Sequence, residues 1–600
     1  MPPFAWLRAK LPRWRLYALR AELRFAPTEA QRLFVLTILI GVVCGLAAVG
    51  FHLAIAFTER LLISRAMSSP GRSWIVWSIL TPALGGLACG LLLKLVVPGA
   101  RGSGIPQVKV AYAARAGRVP LRDAVGKFFV GALNIGSGGS LGREGPTVQI
   151  CAGLASTLGR VGGLSAQSRR RLIPVGAAAG IAAAFNAPLA AVTFTIEEVV
   201  GKLDQTVLSG VIIAAALAAV IERSALGAHP VLDVPHALGL TDARSLVLYA
   251  ALGIAAALVS VLFTDGLLRV RKWFRAWRAI PDWAHPAVGG AVTGILIVVA
   301  LSWLHIEGVN GGGYDVLKRA LSGQLTVRVM MILCAVKLVA TVSSYSSGGA
   351  GGIFAPALFI GATLGGAFGS LDRTLFNHGE DTMGAFALVG MGAVFSGTIR
   401  APMTSVLIII EMTSGYGLIL PLMIANMSAY ILATKLRPEP IYEALLAQDG
   451  VHLHGRIALD ALEELTLDAL VMRHAPYVSF EMAARASDLL RVAGGSSAGT
   501  QAVFPVLGTK EELLGLITSD ELGMLAAEPD VALLVNAADL MRPPVFVRAS
   551  DDVRKAFELM RAEGLSELPV LDEGGKIIGF IDEAAIAQAY LRASGPRSAT

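Results

Sequence analysis

Gly142-Arg143-Glu144-Gly145-Pro146 sets a guanidinium and a carboxylate side by side in a stretch otherwise apolar enough to lie in a membrane. A charge at that depth costs about 2.5–3.5 kcal/mol on insertion scales, so it marks a functional site. A long apolar run follows, which predicts a helix starting at Glu144, and helix N-termini favour anions. The chemistry suggested is competition: the carboxylate fills an anion site, or leaves it by taking a proton. Glu197 and Glu198 close another apolar run, Phe194-Thr195-Ile196-Glu197-Glu198. Taken alone, they read as a helix-end pair facing solvent or a partner subunit. Two hydroxyls are also placed to serve an anion. Ser103, in Gly102-Ser103-Gly104-Ile105-Pro106, precedes a short helix, where it is equally a plain N-cap. Tyr442 ends the last apolar stretch, where it is equally an interfacial tyrosine. Gly351-Gly352-Ile353-Phe354-Ala355-Pro356 offers the amides of Ile353 and Phe354 at the start of another helix, or is a packing turn.

The elements that must hold these residues are membrane helices. The chain has 600 residues, 54% hydrophobic and 16% charged, with a mean hydropathy of +0.63. That excludes an ordinary soluble protein and predicts a polytopic α-helical membrane protein. Apolar helices are expected over 33–63, 75–98, 123–136, 144–160, 171–199, 207–223, 244–270, 286–304, 326–346, 353–371, 383–396, 400–412 and 417–435. Several are too short to span, and Gly-rich breaks fall at 100–106, 136–146, 310–313 and 347–352. Broken helices at membrane depth are tolerated only inside protein or beside a watery cavity. The breaks repeat. At an offset of 210, three glycines and the proline of 138–146 fall on 348–356. At an offset of 214, Ala187, Pro188, Val192, Ile196 and Glu197 fall on Ala401, Pro402, Val406, Ile410 and Glu411, and Gly176 falls on Gly390. This predicts an internal repeat, inverted so that helix ends converge near the midplane. Glu197 and Glu411, as repeat partners, are expected to be structural.

Charge divides the chain. From Val451 onward there are 22 acidic and 13 basic side chains, and before it 22 acidic and 38 basic. The expected units are a basic segment at 1–32, a transport domain at 33–450 and a soluble tail at 451–600. Arg8, Lys10, Arg13, Arg15, Arg20, Arg24 and Arg32 precede the first span, which predicts a cytoplasmic N-terminus; a nucleic-acid-binding arm is the weaker reading. The tail reads as one α/β unit used twice, at about 465–527 and 535–593. The cysteines Cys44, Cys89, Cys151 and Cys334 lie in apolar stretches without metal spacing and read as core residues.

Taken together, these motifs resemble the CLC family of chloride channels and chloride/proton antiporters, over about 33–450, and the tail resembles paired CBS domains. The resemblance implies a CLC-type fold with an inverted repeat, a homodimer with a pathway in each subunit, and a multi-pass place in a cellular membrane, expected to be a bacterial inner membrane with both termini cytoplasmic. It implies chloride held by Ser103, Tyr442 and the amides of Ile353 and Phe354, with Glu144 as gating glutamate. Gly102, Gly104 and Arg143 would support that site. Lys127, in an apolar stretch, matches a buried family lysine that raises the local potential or pairs locally. Antiporters of the family generally carry a second, internal proton glutamate, and Glu198 falls on it; a passive chloride channel is the rival. Gln107 and Lys109 stand where bacterial relatives carry acidic residues. Ser103 matches the chloride-type motif, where nitrate-preferring relatives carry proline.

The expected partners are chloride, protons and lipid, without nucleic acid or metal. No cofactor is expected unless an adenine nucleotide binds the tail at Thr518 and Glu521, and both tail repeats depart from that motif. The chain is read as a transporter, not an enzyme. A hydrolase built on Ser137 or Ser140 would need a base, and only His52 and His305 lie in or beside spans. A nucleotide-sensing scaffold is a third reading, in which losing the Glu144 carboxylate would leave flux unchanged.

Overall fold

The computed structural model describes residues 29–115, 117–201, 205–227, 232, 238–240, 242–379, 381–413, 415–451, 467, 470, 477–493, 501–509, 511–526 and 535–586. The basic residues of the N-terminal segment before Glu29 lie outside that set. The chain divides into two compact units, 1–453 and 454–600.

The first unit is helical. Its helices are α1 (Glu29–Glu59), α2 (Ser73–Leu95), α3 (Ile105–Ala114), α4 (Leu121–Gly136), α5 (Glu144–Val161), α6 (Ala166–Phe185), α7 (Pro188–Phe194), α8 (Gln205–Leu226) and α9 (Ser245–Ala276). There follow α10 (His285–Leu304), α11 (Tyr314–Leu321), α12 (Val327–Ser346), α13 (Phe354–Phe376), α14 (Asp381–Ile399), α15 (Pro402–Thr413), α16 (Ile419–Leu436) and α17 (Ile441–Gln448). Among the described residues, nine helices are long and apolar enough to cross a membrane. Many expose large apolar side chains, such as Leu46, Phe57, Leu258 and Trp303. An outward face of this kind suits lipid and would be costly in water. α14 is the opposite case, since the whole of its apolar window is buried. The chain is a multi-pass membrane protein with broken helices.

The expected single helix over 171–199 is instead two, α6 and α7. Asn186 takes a left-handed conformation (φ 53°), and Ala187, which precedes Pro188, leaves the helical region (φ −131°, ψ 78°). The proline ring forbids helix in the residue before it. The other half breaks in the same way, with left-handed Arg400 (φ 72°) before Ala401-Pro402. A π-helical turn, Thr195–Val200, then carries Glu197 and Glu198.

The inverted repeat is visible in hydrogen bonds. Gly142 and Gly352, equivalent at the offset of 210, meet in an antiparallel bridge with reciprocal N–H···O bonds of 2.7 Å each way. Glu197 accepts from the amides of Met403 (3.1 Å) and Thr404 (2.8 Å) at the start of α15. Glu411, its partner in the repeat, accepts from Leu189 (3.0 Å) and Ala190 (2.8 Å) at the start of α7. Each half therefore caps a helix of the other with the same residue, as a local two-fold requires.

The second unit holds two three-stranded sheets. One orders Phe480–Glu481, Val503–Leu507 and Leu513–Thr518, and the other Val547–Arg548, Glu567–Leu571 and Ile577–Asp582. In each, the outer strands pair with the middle one, parallel on one side and antiparallel on the other. The helix after the first of these strands runs over Ala486–Ala493.

Candidate anion and proton site

The loops between helix ends build the site. The loop after α2 is tied to the one after α12: Gly102 donates to the Gly349 carbonyl (3.2 Å) and Gly351 donates to that of Gly102 (3.1 Å). Two buried lysines fix the loops, one in each half. Lys127 donates to the Ala100 carbonyl (2.8 Å) and to that of Gly102. Lys337, its repeat partner at the same offset of 210, donates to Val309 (2.9 Å) and Gly311 (2.7 Å). Close backbone approach explains two of the glycines. A methyl carbon at Gly104 (φ 104°) would lie 2.7 Å from the Gly145 carbonyl oxygen, and one at Gly142 would overlap the Glu144 carboxylate.

Glu144 is fully buried as the first residue of α5. Its carboxylate does not cap its own helix. Oε1 accepts from the Tyr314 hydroxyl (2.7 Å), and Oε2 accepts from the Ala355 amide (3.4 Å), in the first turn of α13. The carboxylate thus sits at the N-terminal end of α13, beside Ile353 and Phe354. The Phe354 ring is caged by Phe185, Phe194 and Phe395, at centroid distances of 4.8, 5.8 and 4.3 Å. Arg143 donates to the Ala184 carbonyl (3.2 Å) and lies over the Tyr314 ring. A cavity of ≈ 510 Å³ lined by His52, Glu59, Arg143, Asn310, Tyr314 and Lys318, among others, leads to this point.

Ser103 Oγ is buried and makes no hydrogen bond of good geometry, although the Tyr345 hydroxyl lies close to it; Tyr442 Oη is buried without a hydrogen-bond partner. Leaving a hydroxyl so costs about 1–3 kcal/mol, and native proteins rarely do it without cause. Tyr442, in α17, is within electrostatic range of both Glu144 and Glu198. Glu198 is buried, and Lys109 of α3 donates to its Oε1 at 2.7 Å. The Lys109 ammonium also stands 3.5 Å from Glu443. Ser137 Oγ donates to the Asn134 carbonyl (3.2 Å), and Ser140 Oγ shares a hydrogen bond with the Thr341 hydroxyl (3.1 Å).

The sequence profile described as voltage gated chloride channel matches residues 85–434. The chain belongs to this family, the CLC family. A CBS domain profile matches residues 537–592. The H(+)/Cl(−) exchange transporter ClcA of Salmonella typhimurium is 34% identical over 419 residues, 68% of this chain and 87% of that one. A slow cyanobacterial Cl−/H+ antiporter of known structure is 28% identical, with a TM-score of 0.64, covering 70% of this chain and 98% of that one. A eukaryotic CLC transporter shares the fold at 20% identity and a TM-score of 0.64, covering 92% of this chain and 98% of that one.

Within this CLC chain, sequence reasoning missed Tyr314, Lys337 and Glu443, and misjudged Lys109. Lys337 was within reach, because the offset of 210 that aligns the glycines also carries Lys127 onto it. Tyr314 carried no signal, since its partner is 170 residues away. Lys109 showed as a departure from bacterial relatives, and its consequence is the ion pair on Glu198.

Proposed function

We propose that this chain exchanges chloride for protons across a membrane, as a homodimer with one pathway per subunit and both termini on the cytoplasmic side of a bacterial inner membrane. The observation that carries the reading is a buried Tyr442 hydroxyl with no hydrogen-bond partner, together with a carboxylate seated at a helix N-terminus. Chloride would be held by the Ser103 and Tyr442 hydroxyls and by the amides of Ile353 and Phe354. Chloride and the Glu144 carboxylate compete for the same donors, and Glu144 yields by taking a proton. Glu198, a second buried carboxylate within electrostatic range of Tyr442, supplies that proton. Two carboxylates in different surroundings thereby link two ion flows.

One observation favours a passive channel instead: Lys109 holds the Glu198 carboxylate in an ion pair, and a pair that never opened would pass no protons. Reconstituted vesicles with an imposed chloride gradient separate the two. Under antiport the gradient drives proton movement, and Glu198→Gln abolishes it while chloride flux continues. A gradient that moves no protons in the wild-type chain overturns the antiport reading.

The tail is proposed as a structural, dimerising unit. Thr518 and Glu521, where a nucleotide's ribose would bind, are engaged with each other. The Thr518 amide donates to Glu521 (2.7 Å), the Glu521 amide to the Thr518 hydroxyl (3.3 Å), and Arg542 to the same carboxylate (2.7 Å).

A further inference from the structure

Glu198, Lys109 and Glu443 form a graded series from interior to water. Their side chains are 5%, 11% and 50% exposed. The Lys109 ammonium lies 2.7 Å from Glu198 and 3.5 Å from Glu443, so it touches one carboxylate and is within ion-pair range of the other. Glu197, next to Glu198, is committed elsewhere, with both oxygens capping α15 and one also accepting from the Thr404 hydroxyl (2.6 Å). Glu443 follows Tyr442 in α17, about 100° further round the helix. Tyr442 therefore faces inward while Glu443 reaches solvent.

The arrangement poses a charge problem. If Glu198 took a proton while Lys109 stayed in place, the buried ammonium would lose its partner at 2.7 Å and keep only the Glu443 carboxylate at 3.5 Å, a poorly compensated charge. Movement of the flexible lysine side chain onto that second carboxylate restores the compensation. We propose that Glu443 is a positioning residue for proton uptake: its half-exposed carboxylate draws the Lys109 ammonium off Glu198, which frees Glu198 to accept a proton from the water that Glu443 faces. The proposal rests on the antiport reading. Before the step, Lys109 neutralises Glu198 and water solvates Glu443. After it, Lys109 neutralises Glu443 and Glu198 is a neutral acid. One O–H bond forms on Glu198, a hydronium ion becomes water, and the net charge of the three side chains rises from −1 to 0. Lys109 has a carboxylate throughout. When Glu198 passes its proton inward, the ammonium returns.

The test is proton and chloride flux recorded together from the full-length chain in liposomes. Wild-type protein that moves no protons sinks the antiport reading itself; a coupled wild type makes the variants a test of Glu443 alone. Glu443→Gln keeps the shape but not the charge, and proton flux is expected to fall on the order of tenfold, the worth of one lost charged contact, with chloride flux retained. Glu443→Asp should recover coupling. The combined K109Q/E443Q variant should recover it too, because no ammonium then pins Glu198, and a merely structural role for Glu443 predicts no such rescue. An unchanged proton-to-chloride ratio in E443Q overturns the proposal. If E443Q loses both fluxes, the double variant decides: recovery supports the proposal, and continued loss overturns it.

Discussion

Glu144 was legible from the sequence because a carboxylate in an apolar stretch has few innocent explanations. Its partner was not. Tyr314 lies 170 residues away, at the start of the short helix α11, yet its hydroxyl is the shorter of the two contacts that hold the carboxylate. A hydrogen bond to a charged group contributes about 1.5–3 kcal/mol. Tyr314→Phe removes that donor and leaves the ring, so the ionised carboxylate should compete less well with chloride. Chloride affinity is expected to tighten by roughly tenfold, given about 1.4 kcal/mol per decade, as read by calorimetric titration of the purified chain. Unchanged affinity would show that Tyr314 only fills space beside Arg143.

At the scale of elements, the glycine breaks and the repeat were readable, and the helix ends were less so. The single helix expected over 171–199 shows why. Apolar periodicity runs on through Asn186-Ala187-Pro188, and the helix stops where Asn186 turns left-handed and Ala187, ahead of the proline, leaves the helical region. In the other half two helices were expected, over 383–396 and 400–412, with the break set a few residues ahead of Arg400-Ala401-Pro402, where it falls. The offset of 214 also paired Glu197 with Glu411 and gave both a structural role, which their reciprocal caps bear out. A side-chain cap at a helix N-terminus contributes about 0.5–2 kcal/mol. Glu197→Ala and Glu411→Ala are each expected to lower the thermal midpoint of the purified chain by similar amounts, because each removes two amide contacts from an equivalent helix. The double variant should lose close to the sum, since the caps sit on different helices. A large effect from only one would mean that the two halves do not share the load. Glu198 carried no such mark. Only the family pattern separated it from its neighbour, and the structure then separated them physically, with Glu197 on backbone amides and Glu198 on an ammonium.

At the scale of the whole molecule, the sequence announces two units through charge, and each unit repeats itself. In the membrane part the repeat makes function, because helix ends from both halves meet where Glu144 sits. In the tail, the repeat's motif residues are turned on themselves. Glu521 is held by the Thr518 amide and by Arg542, and in the second repeat Asp582 accepts from the Ala585 amide (2.6 Å), capping its own helix. A ribose would have to displace those bonds, and Ala585 brings no carboxylate to replace them. Adenine nucleotides are therefore expected not to bind. Equilibrium dialysis of the full-length chain against ATP, ADP and AMP checks this directly, and a thermal melt checks it independently, because a ligand at a hundred times its Kd adds about 2.7 kcal/mol. Saturable binding that Glu521→Ala abolishes would assign the tail a sensing role. Absence of binding by both measures leaves it as the structural unit that its two sheets and their cores describe.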